Sequence, residues 1–244
     1  MTNYNADFYS DRHDRTIYAA EKILSILLET LTSISSVIDI GCGVGTWCYV
    51  LKQKGIQRVL GVDGPWVPAE YRVLSEAEFL QNDLSVFNST AMLKDVGRFD
   101  CAISLEVAEH LPYDYADNFV DFLTSLADFC LFSAAIPHQG GKNHINEQWQ
   151  SYWAKKFLER RFVAFDIFRP IIWNDEKIDR WYRQNIFLYV EQRRLSELTI
   201  MNNSIIYDIV HPDYFLTYVN AYNKKKSFHN SLITLLSKIM KKAS

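Results

Sequence analysis

No apolar run in the 244 residues approaches the roughly 18–20 needed to span a bilayer. Met1 to Ser10 is polar and holds no apolar core of a secretory signal. Cysteine is scarce: Cys42, Cys48, Cys101 and Cys130 lie on or beside apparent strands without Cys-x-x-Cys spacing. They read as reduced core residues of a cytoplasmic protein. Two phosphate-binding signatures are missing. There is no Gly-x-Gly-x-x-Gly interval and no Gly-Lys-Ser/Thr, which argues against a dinucleotide pyrophosphate site and a P-loop. Positive charge is short outside the C-terminus. The net charge is −3, but six lysines and no acid follow from Lys224 on, so the rest of the chain carries −9. A body this acidic argues against DNA, and against RNA, as a partner.

What is present fits one α/β domain with some embellishment. Fifteen Phe, fourteen Tyr and six Trp are many, and such rings gather in cores and in pockets for organic ligands. Thr16 to Leu31 carries an apolar stripe at helical spacing, preceded by a polar segment with Tyr4, Phe8 and Tyr9. Val37 to Ile40 is a β-branched run with one acid, Asp39, as expected of a buried parallel strand. Gly41, Gly43 and Gly45 follow at alternate positions, where the missing Cβ lets a ligand lie against the backbone. A helix from near Thr46 then offers its free N–H groups to that ligand.

Later strands end on the same rim. Arg58 to Val62 runs into Asp63 and Gly64, one βαβ step after Asp39, where a carboxylate can accept both hydroxyls of a ribose. Phe79 to Leu84 reads as a third strand ending in Asn82-Asp83, a pair that could equally open an Asx turn. Phe99 to Leu105 runs into Glu106-Val107-Ala108-Glu109-His110. This delivers Leu105, Glu106, Glu109 and His110 to the strand ends where open α/β sheets bind ligands. Asn118 to Asp128 is helical, Phe129 to Pro137 a fifth strand, and His138 to Trp149 a long polar loop of the kind that usually carries function. A helix over Ser151 to Arg161 and strands over 162–168 and 185–190 complete the pattern.

Asp39-x-Gly41-x-Gly43-x-Gly45 closely resembles motif I of the class I S-adenosylmethionine-dependent methyltransferases, and Ser104 to Leu111 resembles motif IV of their small-molecule O-methyltransferases, including those of ubiquinone synthesis. The resemblance covers roughly Tyr18 to Glu191. It implies a Rossmann-like, seven-stranded, mostly parallel doubly wound sheet with the last strand antiparallel. It also implies S-adenosyl-L-methionine as cofactor, over Asp39, Gly41, Gly43, Gly45, Leu105 and Glu106. The ribose falls on Asp63 beside Gly64, and the adenine beside Asp83 and Leu84. The N-terminal residues 1–17 become a lid segment, with Tyr9 or Arg12 as closing residues, or else a frayed terminus; 18–191 is the methyltransferase domain, and 192–244 a C-terminal extension.

Transfer of a methyl group to a hydroxyl needs a base, and His110 is the candidate by type and position, with His138 and His144 in reserve. Glu-x-x-Glu-His spacing also suggests a divalent metal. One helical turn would bring Glu106 near Glu109 and His110, with His144 as a fourth ligand for Mg²⁺, Mn²⁺ or Zn²⁺. The same pattern is found in metal-dependent small-RNA 2′-O-methyltransferases. The acceptor expected is a small-molecule or sugar hydroxyl, entering between His110, His144 and the Trp149/Trp153 pair. Tyr207 to Tyr222 resembles, over a short stretch, the tail of bacterial polysaccharide-cluster methyltransferases. An RNA 2′-O-methyltransferase and a non-catalytic S-adenosylmethionine-binding scaffold are the alternatives. Phe228, Leu232, Leu235, Leu236, Ile239 and Met240 form one face of a lysine-flanked helix suited to a membrane surface, another subunit or the chain's own domain. The location expected is cytoplasmic, peripheral to a membrane if that helix docks there.

Overall fold

The computed structural model describes residues 9–86, 89–198 and 207–243, with 89 and 228–243 described by backbone alone. Strands β1 (Ser36–Ile40), β2 (Arg58–Asp63), β3 (Phe79–Gln81), β4 (Cys101–Leu105), β5 (Phe129–Ser133), β6 (Phe162–Phe165) and β7 (Phe187–Glu191) form one sheet in the order 3-2-1-4-5-7-6. All neighbours among the first five are parallel. Strand β7 slots between β5 and β6 antiparallel to both, pairing Phe129 with Val190 and Phe162 with Glu191. Helices α1 (Arg12–Thr30), α2 (Thr46–Gln53), α3 (Ser89–Val96), α4 (Ala116–Leu126), α5 (Gln150–Glu159), α6 (Arg169–Ile172) and α7 (Arg180–Asn185) cover the two faces, and α8 (Pro212–Ala243) follows. The fold is the Rossmann-like one that the glycine motif implies.

Successive strand residues point to opposite faces, and the strand composition makes both faces apolar. Val37, Cys101, Ile103, Leu131 and Leu188 pack on the side of α1 and α2, against Ile23, Leu27, Trp47 and Leu51. Their neighbours Ile38, Ile40, Ala102, Cys130 and Phe132 pack on the other side, against Phe119, Phe122 and Leu123 of α4 and Phe157 of α5. The four cysteines are buried and unpaired, as read from their spacing.

The strand order reverses between β1 and β4, which are neighbours although β2 and β3 intervene in sequence. A crevice at such a reversal lies beyond the carboxyl ends of the strands. Several strands end sooner than the apolar pattern suggests. The third stops at Gln81, the fifth at Ser133 and the sixth at Phe165, while the seventh starts at Phe187 and leaves Asn185 to α7. The residues trimmed from strands three, five and seven are those that turn over the rim.

One compact unit runs to Ile209 and a second begins at Val210, consisting mainly of α8. The apolar face expected over Phe228 to Met240 lies outside the described side chains, as Tyr4 and Phe8 lie outside the described residues.

Candidate active site

The glycine turn is held from beneath. Gly41 and Cys42 both donate their N–H to the Val62 carbonyl, at 2.8 and 3.1 Å, tying the end of β1 to β2. Gly41 has φ +85°, and a Cβ there would lie 2.3 Å from Val107 Cγ2, so the turn needs glycine on both counts. Gly43 differs: its φ is +55° and a Cβ would meet nothing within 4 Å, because it faces open space above the loop. Its N–H donates to Asp63 Oδ2 at 2.7 Å. His13 of α1 reaches Thr46 Oγ1 at 3.2 Å, so the N-terminal segment lies at the mouth of α2. Tyr9, expected as a lid residue, is buried in the core on that side.

One buried and one half-buried acid sit under this cradle. Asp39 is 2% exposed with Oδ2 unpartnered, and burial, then the charge of Asp63, pushes its pKa up to about 8. Asp63 accepts from Gly43, from Gly64 N–H at 2.7 Å and from Trp66 Nε1 at 3.0 Å, yet burial still raises its pKa. An open backbone cradle beside the Asp63 carboxyl group suits a ligand that carries hydroxyls, as an adenosyl ribose does. The Trp66 ring was not anticipated as part of the site. Its atoms lie 2.2–2.4 Å from where a Gly64 Cβ would stand, so Gly64 is what lets the indole close on Asp63.

The raised pKa of Asp39 has a stability consequence. Its folded value lies above the ordinary carboxylate value, so the native state retains a proton that the unfolded chain loses. Stability therefore falls as pH rises through the interval between the two. Asp39→Asn should gain on the wild type between pH 5 and 8 in the absence of ligand, by at most ~1.4 kcal/mol per pH unit. Thermal melts across that range check it; a gap that stays flat would place the proton elsewhere.

Asp83, read as an adenine contact, makes an Asx turn: Oδ1 accepts from Ser85 N–H at 2.9 Å and Ser85 Oγ at 2.7 Å. Leu84 beside it is buried.

At the end of β4, buried Leu105 gives way to Glu106 with φ +57°, a left-handed backbone rare for a non-glycine residue. The helical turn expected from Glu106 therefore starts only at Ala108 and spans Ala108–His110. Glu106 N–H donates to the Ser133 carbonyl at 3.0 Å. Its carboxylate accepts from Gln139 Nε2 at 2.7 Å and Asn185 Nδ2 at 3.1 Å. Burial raises the Glu106 pKa against these two bonds. As a result Glu106 stands outside the metal-type group, where spacing alone had placed it.

That group is Glu109, His110 and His144, with one ligand atom from each within 4.8 Å of the others. Glu109 is fully buried and neither carboxylate oxygen has a hydrogen-bond partner. Burial, and then the charge of Glu106, hold its pKa well above the usual range. His144 Nε2 lies 4.0 Å from Glu109 Oε1, while its Nδ1 is 2.9 Å from Glu147 Oε1. His110 Nδ1 lies 3.3 Å from the Asn143 carbonyl. Both acceptors take the Nδ1 side of their ring, which turns each Nε2 toward the group, the orientation of metal-ligating histidines. Burial, then the neighbouring His144, pushes His110 down to about 4, so its imidazole is neutral near pH 7. The loop is pinned here because Ile145 and Asn146 both donate to the Glu109 carbonyl, at 2.9 and 3.0 Å. His138 has its N–H on Glu147 Oε2 and is not in the group. Trp153, expected at the acceptor entrance, is 2% exposed and packs against Phe132 in the core, whereas Trp149 is 41% exposed.

Residues 11–169 match a family model described as a methyltransferase domain. No curated protein matches the sequence. Among solved structures, an O-methyltransferase family protein from Burkholderia thailandensis superposes with a TM-score of 0.55 at 12% identity, over 78% of this chain and 60% of its own length. A methyltransferase from Archaeoglobus fulgidus gives 0.53 at 14% identity, over 76% of this chain and 99% of its own. Magnesium protoporphyrin IX methyltransferase from Synechocystis, solved with S-adenosylhomocysteine, gives 0.50 at 19% identity, over 78% and 90%. At such identities the likeness is one of fold, and the family model carries the assignment: the chain belongs to the class I S-adenosylmethionine-dependent methyltransferases.

Proposed function

We propose that this protein transfers a methyl group from S-adenosylmethionine to a hydroxyl of a small molecule or saccharide. The observation that carries the reading is the Glu109, His110 and His144 group at the end of β4, the strand beside the glycine cradle. Gly43 and the N-terminus of α2 hold the cofactor's backbone-facing side, and Asp63 takes the ribose hydroxyls. When bound, the cofactor supplies an electrophilic methyl on a sulfonium. The acceptor oxygen bonds to that carbon as the carbon–sulfur bond breaks, the electron pair goes to sulfur, and the hydroxyl proton must leave.

Glu109 with Nε2 of His110 and of His144 would hold a divalent ion, with Glu147 and the Asn143 carbonyl fixing the imidazoles from behind. Such an ion would lower the pKa of an acceptor hydroxyl. Without one, a histidine Nε2 takes the proton. The acidic body supports a small acceptor over a nucleic-acid strand. The test is S-adenosylhomocysteine release over a panel of phenols, sugars and oligosaccharides, with and without EDTA. Loss of turnover with EDTA and its return with Mg²⁺, Mn²⁺ or Zn²⁺ is expected; unchanged turnover removes the metal and leaves a histidine as the base.

Trp66 bears on cofactor affinity. Its indole N–H occupies an Asp63 oxygen that a ribose hydroxyl would use. Trp66→Phe keeps a ring but removes the competing donor, so S-adenosylmethionine should bind several-fold tighter, within the ~1 kcal/mol that such a bond is worth. Calorimetric titration decides it, and weaker binding would make the indole N–H a contact of the ligand itself.

A further inference from the structure

The second unit, α8 with its approach from Val210, contributes none of the residues assigned above. Its charge is one-sided. Asp213 is the last acid of the sequence, and the stretch from Tyr214 to Ser244 holds six lysines and no carboxylate side chain. Its apolar exposure is also concentrated. Val210, Phe215, Leu216, Tyr218 and Tyr222 are all large and exposed, with Phe215 at 60% and Tyr222 at 67%. Elsewhere the described exposed apolar side chains are scattered (Val86, Leu158, Ile171) or belong to segments flanking the candidate site (Tyr113, Ile145, Trp149).

Helical geometry brings these two features together. Phe215, Tyr218 and Tyr222 are spaced by three and four, so they share a face, and the exposed Lys225 and Lys226 flank that face one turn further on. Aromatic rings beside lysines, with no acid after Asp213 to repel headgroups, are what an interfacial helix presents to a bilayer. No helix among the described residues is long and apolar enough to cross a membrane, so α8 would lie along the surface. A protein body carrying −9 is repelled by an anionic bilayer, which puts the whole attraction on this helix. A second copy would satisfy the lysines with its acids, but among the described residues the exposed apolar side chains elsewhere form no comparable row to receive the rings.

We propose that α8 docks the enzyme on an anionic phospholipid surface, with Phe215, Tyr218 and Tyr222 at the headgroup boundary and Lys225 and Lys226 against headgroup phosphates. The proposal does not depend on which acceptor is methylated.

The experiment is co-sedimentation of the full chain with vesicles of pure phosphatidylcholine, and of phosphatidylcholine with an equal part of phosphatidylglycerol. Binding to the mixed vesicles alone is expected, weakening as salt is raised. Two variants separate charge from insertion: one carrying Lys225→Glu and Lys226→Glu, the other Phe215→Ser and Tyr222→Ser. Each should lower vesicle affinity at least about tenfold, given ~1 kcal/mol per basic residue near the surface and a comparable loss for each buried ring. Melting temperature and S-adenosylmethionine binding should stay at wild-type values, because every substituted side chain is exposed. Three outcomes overturn the proposal: no binding to mixed vesicles, equal binding to both compositions, or binding that survives the aromatic variant. Self-association in sedimentation velocity that both variants abolish, without vesicle binding, would assign the helix to a second copy instead. Tighter binding to a single-stranded RNA oligonucleotide than to vesicles would assign it to nucleic acid.

Discussion

Gly43→Ala should leave the protein folded and unable to bind S-adenosylmethionine, whereas Gly41→Ala should damage both properties. The two glycines are two residues apart in one turn, and both have positive φ. At Gly43 the backbone angle of +55° lies in the left-handed region, where alanine costs ~1–2 kcal/mol, and the new methyl group meets no atom within 4 Å. That open space is where the cradle receives its ligand, so the methyl group displaces the ligand and spares the fold. A loss of affinity of at least ~100-fold is expected, with the melting temperature lowered by ~2–8 °C. At Gly41 the same methyl group falls 2.3 Å from Val107 Cγ2, with φ at +85°. Overpacking then adds ~1–3 kcal/mol, and the shift is passed through Val107 to the start of the Glu109 and His110 turn. Gly41→Ala should lower the melting temperature by ~5–15 °C in addition to abolishing binding. Calorimetric melts and cofactor titrations on both variants are the check. A Gly43→Ala protein that binds the cofactor normally would remove the glycine turn as its seat.

The glycine turn was legible because local rules govern it. A β-branched strand, three glycines and a helix start are contiguous, and Asp63 follows one βαβ step later, so sequence distance nearly equals structural logic. The mostly parallel, doubly wound sheet with its last strand antiparallel followed from the family resemblance that the same motif carries. What sequence reasoning missed belongs to groups brought together from far apart. Gln139 and Asn185 satisfy Glu106 across 33 and 79 residues, and an amide side chain carries no periodic signal. Trp66 is close to Asp63 in sequence, but only the absence of a Gly64 side chain lets its ring fold back, and that is visible in three dimensions alone. The spacing rule that grouped Glu106 with Glu109 assumed a continuous helical turn. A left-handed residue at the strand end rotates the carboxylate away toward Asn185. Trp153 was misplaced for a related reason. Aromatic residues near a rim and aromatic residues one turn into a buried helix look alike until burial is known, and Trp153 lies in the first turns of α5 against Phe132.

The two glutamates of that segment, half-buried Glu106 and buried Glu109, should respond to substitution with opposite signs although they are three residues apart. Glu106 accepts bonds from Gln139 and Asn185, so its carboxylate is matched by donors. Glu106→Gln would turn one oxygen into an NH₂ group facing donors, and a loss of ~1–3 kcal/mol is expected from the unmatched groups. Glu109 is 0% exposed and neither of its oxygens has a hydrogen-bond partner, with His144 Nε2 no nearer than 4.0 Å, so in the metal-free protein the carboxyl group is held in place by the fold at a cost. Glu109→Met has similar volume and removes the orphaned oxygens. It should stabilise the metal-free protein by ~1–3 kcal/mol, a rise in melting temperature of several degrees for a chain of this size. The same change removes the one carboxylate of the Glu109, His110 and His144 group. Metal binding by titration calorimetry should disappear, and turnover should drop by at least ~1000-fold, the scale on which lost metal assistance registers. A protein stabilised by a substitution that silences it holds the original group for its chemistry. Melts in EDTA give the direct reading: a Glu109→Met protein that unfolds earlier than the wild type would mean that the carboxyl group serves the core and not the reaction.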